Sequence, residues 1–190
     1  MYNYNFTYYP NYRYQSPSSF YNGNWRDRTQ SFAAISGIIA SIKDFNTGQN
    51  DVPGCYKILS LISENKNPVN FIISPETYFV DHEAVKVGDK ITGFYDVNAP
   101  VALIYPPQYR AIVIAKHKKN QNVAVAYFNN YLISSNGNLK LNLAPSTQVM
   151  LKNNQPFTRY PGNRNLIVIY GPTTKSIPAQ TTPYKIIVMC

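Results

Sequence analysis

The chain has 190 residues, enough for one or two small domains with a buried core. Its 17 tyrosines and 14 prolines favour strands and turns over helices. No apolar run is long enough for a transmembrane helix, and residues 1–5 lack the basic and apolar regions that begin a secretory signal peptide. We therefore expect synthesis in the cytoplasm and no membrane partner.

The net charge of +9 is unevenly distributed along the chain. Residues 1–31 carry +2, residues 32–115 carry −2, and residues 116–190 carry +9 without any acidic residue. A chain with one slightly acidic and one strongly basic part can bind polyanions, or it can bind copies of itself head to tail.

Residues 1–31 form an arm rich in tyrosine and asparagine and almost free of aliphatic residues. Such a segment cannot build its own core, yet each aromatic side chain can bury a large apolar surface. The arm is either a flexible tail or a segment that becomes ordered on another subunit. The second interpretation assigns self-assembly to the aromatic residues Tyr2, Tyr4, Phe6, Tyr8, Tyr9, Tyr12, Tyr14, Phe20, Tyr21 and Trp25.

Residues 32–115 are predicted to form a first β unit. The stretch 32–42 contains β-branched residues and a central glycine, Gly37, so it favours a strand with a bend or bulge over a short helix. The other predicted strands of this unit are residues 55–62, 69–73, 78–80, 90–95 and 110–115.

Residues 116–190 are predicted to form a second β unit, and Asn136-Gly137 favours a tight hairpin turn within it. The fold class is therefore all-β. Each unit fits a small β-barrel of the OB type, with a two-sheet sandwich as the main alternative. The predicted strands of the second unit are residues 123–128, 131–134, 139–143, 148–151, 166–170 and 185–189.

Part of the first unit is repeated in the second. Residues 74–77 (Ser-Pro-Glu-Thr) are echoed by 144–147 (Ala-Pro-Ser-Thr), and in both units two tyrosines stand 14 residues apart. The prolines agree at an offset of 70 and the tyrosines at 75, so the second copy carries an insertion of five residues. Such self-similarity predicts a duplicated β unit, and it matches Tyr95 with Tyr170 and Tyr109 with Tyr184.

The sequence does not favour an enzyme, and we expect no metal or cofactor. Neither His82 nor His117 has the spacing of a zinc site, and no nucleophile or phosphate-loop motif occurs. The carboxylates of Glu76, Asp81 and Glu83 are interpreted as parts of a solvated turn, because the second copy has no acid at the matching positions.

The two cysteines, Cys55 and Cys190, are 135 positions apart. Three states are open: two free thiols, an internal bridge, or a covalent cross-link between subunits. A thiol at the last residue can reach another subunit easily, and surface fibres meet oxidising conditions.

The basic second unit gives an alternative function, an OB-like module for single-stranded nucleic acid or another polyanion. Against it, no recognised RNA or DNA signature is present, and the densest run also fits a solvated linker between the units. The candidate polyanion contacts are Lys116, Lys118, Lys119, Arg159 and Arg164.

Two stretches resemble known proteins. Residues 8–14 (Tyr-Tyr-Pro-Asn-Tyr-Arg-Tyr) resemble the low-complexity arms of bacterial spore-coat and spore-surface proteins. Residues 69–115 are similar to a family of small uncharacterised duplicated β proteins from spore-forming anaerobic bacteria. The second resemblance covers about a quarter of the chain and implies no known activity.

The residues therefore favour a structural protein that assembles with itself head to tail through the arm. We expect a subunit of an extracellular or spore-surface fibre or array, with other spore or cell-surface components as further partners. Without a signal peptide, such a location is reached by another route, for example lysis of the mother cell around a spore.

Overall fold

The computed structural model describes residues 31–46 and 54–190. The described part contains strands and one short 3-10 turn, Val80–His82, but no α-helix, so the all-β prediction is confirmed. The strands are β1 (Phe32–Asp44), β2 (Lys57–Ser63), β3 (Pro68–Ile73), β4 (Tyr78–Phe79), β5 (Lys90–Asp96), β6 (Gln108–Arg110), β7 (Val113–Lys116), β8 (Asn122–Phe128), β9 (Leu139–Leu141), β10 (Gln148–Leu151), β11 (Arg164–Tyr170), β12 (Ala179–Thr181) and β13 (Pro183–Met189).

Strands β1–β7, here called the N-terminal unit, form one mixed sheet in the order β4-β7-β5-β1-β2-β3-β6. The first part of β1 pairs with β5, and its second part pairs with β2. The change of partner occurs at Gly37, where a Cβ atom would lie 2.5 Å from the carbonyl oxygen of Ile62. A bulge follows between Ile39 and Ser41. The bend or bulge predicted for this strand is confirmed.

Strands β8–β13, here called the C-terminal unit, form a four-stranded sheet in the order β10-β13-β11-β8 and a parallel pair, β12-β9. The pairings repeat those of the N-terminal unit. Strand β10 is parallel to β13 as β4 is to β7, and β9 is parallel to β12 as β3 is to β6. Strand β11 lies antiparallel between β8 and β13, as β5 lies between β1 and β7.

The repeated Pro-Thr turns have the same structural role in both units. The hydroxyl of Thr77 donates to the carbonyl of Ala111 at 2.8 Å, and that of Thr147 donates to the carbonyl of Pro183 at 2.9 Å. Each threonine therefore ties the loop before β4 or β10 to the final strand segment of its unit. This side-chain bond explains why the turn sequence recurs.

One predicted tyrosine match is correct and the other is wrong. Tyr95 lies opposite β1 and Tyr170 opposite β8 at equivalent register positions. Tyr109, however, lies in β6 and stacks on Tyr95 with ring centroids 4.2 Å apart, whereas Tyr184 lies in β13 and is 52% exposed. Eleven residues separate β5 from β6 but only eight separate β11 from β12, so the equal spacing of 14 does not mark equivalent positions.

The predicted strand at 131–134 is also wrong. The side-chain oxygen of Asn129 accepts from the backbone N–H groups of Tyr131 at 2.9 Å and Ile133 at 3.0 Å. Leu132 has a φ of 56°, so this segment is a tight turn with isolated bridges instead of a ladder.

Three buried clusters hold the described part together. One lies inside each unit, and the third, here called the seam, contains residues of both units. In β11, Leu166 and Val168 face the core of their own unit, whereas Ile167 and Ile169 face the seam. The buried residues of the seam are Tyr78, Val80, Phe94, Val113, Ala115, Val125, Ile167, Ile169 and Ile187.

The seam explains the continuous apolar runs of the sequence. A strand with one buried face alternates apolar and polar residues, whereas a strand buried on both faces does not. The four residues from Leu166 to Ile169 are all buried because their two faces lie in two different clusters. The two units therefore share apolar burial across the boundary between them.

We expect substitution of Ile167 by alanine to lower the free energy of unfolding by about 2–5 kcal/mol, because it leaves a cavity in the fully buried seam. Ile62→Ala, at a side chain that is 45% exposed, should cost much less. Denaturant unfolding followed by circular dichroism measures both. Because the seam couples the units, the wild-type transition should be single, and two separate transitions would contradict this.

Candidate functional site

A groove of about 380 Å³ lies between β1 of the N-terminal unit and β8 of the C-terminal unit. Its walls contain short side chains, among them Ala33, Ala34, Ala124 and Ala126. No charged residue lines the groove in the described part of the chain. The full lining is Phe32, Ala33, Ala34, Phe94, Val123, Ala124, Val125, Ala126, Phe128, Ser134, Asn136, Asn138, Leu139, Tyr170, Thr173 and Ala179.

The β1 wall presents an open strand edge. The carbonyl of Ser31 accepts a hydrogen bond from the N–H of Val97 at 2.9 Å, so it points towards the β5 side. The carbonyl of Ser36 accepts a hydrogen bond from the N–H of Glu64 at 3.3 Å, so it points to the opposite side. Backbone groups alternate along a strand, so those of Phe32 and Ala34 point away from β5. Pairing with β2 begins only at Gly37. Within the described residues, the groups of Phe32 and Ala34 therefore have no strand partner.

The β8 wall presents a second open edge. Strand β8 pairs with β11 along one side, and the carbonyl of Tyr127 accepts from the N–H of Ser135 at 2.8 Å on the other. By the same alternation, the backbone groups of Val123 and Val125 point away from β11. In the described ranges no strand lies against them, so two open edges line one groove.

Open edges of this kind are unusual without protection. Natural proteins shield them with charged side chains, proline or bulges, because an unpaired edge recruits strands from other chains. Neither Phe32–Ser36 nor Asn122–Phe128 contains a charged residue or a proline. None of these protections is present on the two open edges of the groove.

An ion-pair cluster holds the two units together at their junction. The loop after β4 supplies Asp81 and Glu83, and the C-terminal unit supplies Lys185, whose ammonium lies 2.8 Å from Asp81. Lys118 lies 2.7 Å from Glu83 and 3.3 Å from Asp81. We call these groups, with Lys116 and Asp89 at 3.0 Å, the junction cluster.

Asp81 is the central carboxylate of the junction cluster, and it has a left-handed φ of 57°. Partial burial opposes its ionisation, but the hydrogen bonds and charges of Lys185 and Lys118 outweigh that effect and lower its pKa. The hydrogen bond from Lys118 lowers the pKa of Glu83, and the bond from Lys116 lowers that of Asp89. All three carboxylates are therefore charged at neutral pH.

The structure separates the predicted polyanion contacts into two groups. Lys116 and Lys118 face carboxylates of the junction cluster, so the charge asymmetry of the sequence is partly used within the chain. Lys119 is exposed. Arg159 and Arg164 line one shallow recess, and the Arg164 guanidinium carbon lies 5.3 Å from the centre of the adjacent Phe157 ring.

The other predicted site residues lie outside the groove. The ten aromatic residues assigned to the arm lie outside the described residues. Cys55 and Cys190 are both free and exposed. Cys55 lies at a separate, largely apolar recess of about 720 Å³ whose lining includes Leu59, Ile73 and Phe79.

The histidines do not form a recognisable catalytic arrangement. His117 Nε2 lies 2.8 Å from the hydroxyl of Thr92, which in turn lies 2.7 Å from that of Ser36. Burial lowers the pKa of His117, as does the nearby Lys90, against an opposing effect of Glu64. Among the described residues, no three His, Cys, Asp or Glu side chains are grouped to hold a metal ion.

No family model matches the chain, and no curated protein is significantly similar to it. None of the described residues belongs to a helix with the length and apolarity needed to span a membrane.

Sequence reasoning missed the groove because its edges belong to strands from different units. One signal was present: both wall strands are uncharged and rich in alanine, at Ala33 and Ala34 in β1 and at Ala124 and Ala126 in β8. Which side of a strand remains unpaired depends on the register of its neighbours, and that register is a tertiary property.

We expect Asp81→Asn to destabilise the protein by about 1 kcal/mol at pH 7, a modest value because the ion pairs are partly exposed. A carboxylate with a lowered folded pKa stabilises the fold above its unfolded pKa and loses that contribution as pH falls through the folded pKa. The difference from wild type should therefore be fully present above the unfolded pKa of about 3.9 and should shrink as the pH falls below that value.

Thermal unfolding between pH 3 and pH 7 measures this difference. Asp44→Asn, which breaks an exposed ion pair with Lys57 inside the N-terminal unit, is the matched control and should have a smaller effect. Equal effects of both substitutions at pH 7 would show that the junction cluster does not join the units.

Proposed function

We propose that this chain is a structural protein that assembles with copies of itself through residues 1–31. The observation that carries the proposal is the groove, whose lining includes two uncharged strands, each with an edge that has no strand partner among the described residues. Adding a strand to an exposed edge is an established mode of protein association, in which main-chain hydrogen bonds supply much of the affinity.

Within the described residues, the three buried clusters are built from strands and loops that follow the arm. Their buried members all lie within residues 39–188. The arm nevertheless carries ten aromatic side chains, and burial of each stabilises by roughly 2 kcal/mol. Burial on another subunit can therefore offset much of the ordering entropy of the arm.

The proposed assembly is open. The arm and the groove are different surfaces, so the contact is head to tail, and such contacts give filaments when the repeated rotation does not close a ring. In the junction cluster, Lys116, Lys118 and Lys185 form ion pairs with carboxylates of the same chain. Assembly should therefore depend on salt less than the charge asymmetry of the sequence suggests.

We further propose that each unit is a small barrel of the OB type, with five strands in the N-terminal unit. In the N-terminal unit the pairings run from β1 through β2 and β3 to β6, and from β1 through β5 to β7. Only two residues separate β6 from β7, which supports interpreting them as one interrupted strand. Such a strand would connect the two sides of the strand order and close the barrel. The repeated pairings support a related barrel for residues 116–190, with one strand fewer because a tight turn follows β8 where β2 follows β1 in the N-terminal unit.

A covalent cross-link between copies is the proposed role of the two exposed thiols, Cys55 and Cys190. We expect disulfide-linked multimers to appear on non-reducing gels when assembled protein is oxidised. Cys190→Ser should abolish the ladder but leave assembly under reducing conditions unchanged. Retention of a full ladder in this variant would exclude Cys190 as a cross-linking residue.

The recess at Arg159 and Arg164 supports the second candidate, binding of a polyanion, because Tyr160 joins the two arginines there. Fluorescence anisotropy with a labelled single-stranded oligonucleotide tests it. An affinity that falls steeply with salt and is lost in Arg159→Ala/Arg164→Ala would favour this function.

For self-assembly, the test is a chain that begins at Ser31. It should keep the strand content of the described part but sediment as a monomer, whereas the full chain forms larger species at the same concentration. Sedimentation velocity and electron microscopy, with and without reductant, make the comparison. If the shortened chain forms the same assemblies, the arm is not the connector and the proposal is wrong.

A further inference from the structure

The chain enters β1 directly beside the groove between β1 and β8. Among the described residues, the chain starts at Ser31, and the next three residues line the groove. The arm therefore joins β1 at a groove that no other strand of the described residues fills. About 30 residues precede this point, a length that reaches on the order of 100 Å when extended.

We propose that the groove binds the first part of the arm, residues 2–9, of a second copy as an added strand between β1 and β8. This inference rests on the proposed function and names the site of that contact. The inserted strand would exchange main-chain hydrogen bonds with Phe32 and Ala34 on one side and with Val123 and Val125 on the other.

The arm's first residues match the groove in charge. Residues 1–12 contain no charged side chain, and the first arginine is Arg13. A charged strand would lose hydration in a groove without counter-charges, so an uncharged segment is preferred. Pro10 marks the end of the matching segment, because proline has no N–H to donate to a neighbouring strand.

The side chains also match. Tyr2, Tyr4 and Phe6 alternate with polar residues, so an extended strand places the three rings on one face. The alanines of both walls leave space beside the strand that larger side chains would fill. Tyrosine suits such a site because its ring is buried while its hydroxyl can reach a polar partner, and Ser134, Asn136 and Asn138 offer such groups.

The connecting length allows the segment to reach a second copy. Residues 10–30 separate the strand segment from β1, and when extended they reach about 70 Å, beyond the groove of their own chain. Each copy would then donate its arm and accept one, which is the heterologous contact that the proposed filament requires.

The test uses the full chain and one matched pair of variants. Ala34 and Ala40 are both exposed alanines of β1, but only Ala34 lines the groove. Ala34→Lys places a charge against the inserted strand and should raise the concentration for half-assembly about tenfold or more. Ala40→Lys should change it by less than about twofold. Sedimentation velocity measures both, and circular dichroism confirms that each variant is folded.

Trp25, the single tryptophan of the chain, lies in the connecting segment of residues 10–30 and gives an independent signal of assembly, in which that segment comes to lie between two copies. Its emission should shift to the blue as wild type and Ala40→Lys assemble, but not in Ala34→Lys at equal concentration. Ala34→Pro, which removes one groove-facing N–H without touching the β5 ladder, should behave as Ala34→Lys does.

The outcomes separate this inference from the proposed function. If removal of the arm abolishes assembly but Ala34→Lys assembles as wild type does, the arm is the connector and the groove is not its site. If the full chain remains monomeric and Trp25 emission is blue-shifted at every concentration unless Ala34 is changed, the arm fills the groove of its own chain. That result would overturn binding between copies.

Discussion

The apolar seam between the two units is the interaction on which the rest of the structure depends. It buries the outer faces of β5, β7, β11 and β13 in one cluster, so these strands are covered on both sides. Hydrophobic burial is non-directional, but close packing of two pleated surfaces allows few relative positions. The junction cluster adds directional contacts at the edge, where Asp81 bonds lysines of the junction and of β13. Together they fix how β1 stands relative to β8.

The groove is a consequence of that fixed position. Strand β1 pairs with β5, and strand β8 pairs with β11. Both partner strands, β5 and β11, contribute buried residues to the seam. The remaining edges of β1 and β8 are open because β2 begins to pair only at Gly37 and because residues 129–135 turn instead of forming a ladder. The tight turn at Asn129 thus leaves the C-terminal unit with one strand fewer than the N-terminal unit. The backbone groups of Val123 and Val125 that point away from β11 therefore have no strand partner among the described residues.

The sequence predicted the strands well where periodicity and turns act locally. The β character, the bend in β1, the Pro-Thr turns and the Tyr95–Tyr170 match are all determined by residues close in sequence or by repeated side-chain bonds. The match of Tyr109 with Tyr184 failed because the loop between β11 and β12 is three residues shorter than the loop between β5 and β6, and loop length is not visible in the apolar pattern of the strands. The seam and groove could not be predicted, since they depend on which faces of distant strands meet. Lys116 and Lys118 show the same limit, because their partners are carboxylates more than 25 positions away. The surface location and the spore setting stay predictions.

The central claim is that an added strand closes the two open edges when copies assemble. Amide hydrogen exchange resolved by residue tests this most directly, because the N–H groups of Phe32, Ala34, Val123 and Val125 face the groove. In dilute protein these amides should exchange rapidly, whereas amides bonded across the β5 and β11 ladders are protected. On assembly the four groove amides should become protected together, while the exposed turn at Gly137 remains unchanged. Assembly without any protection of these four amides would contradict the claim.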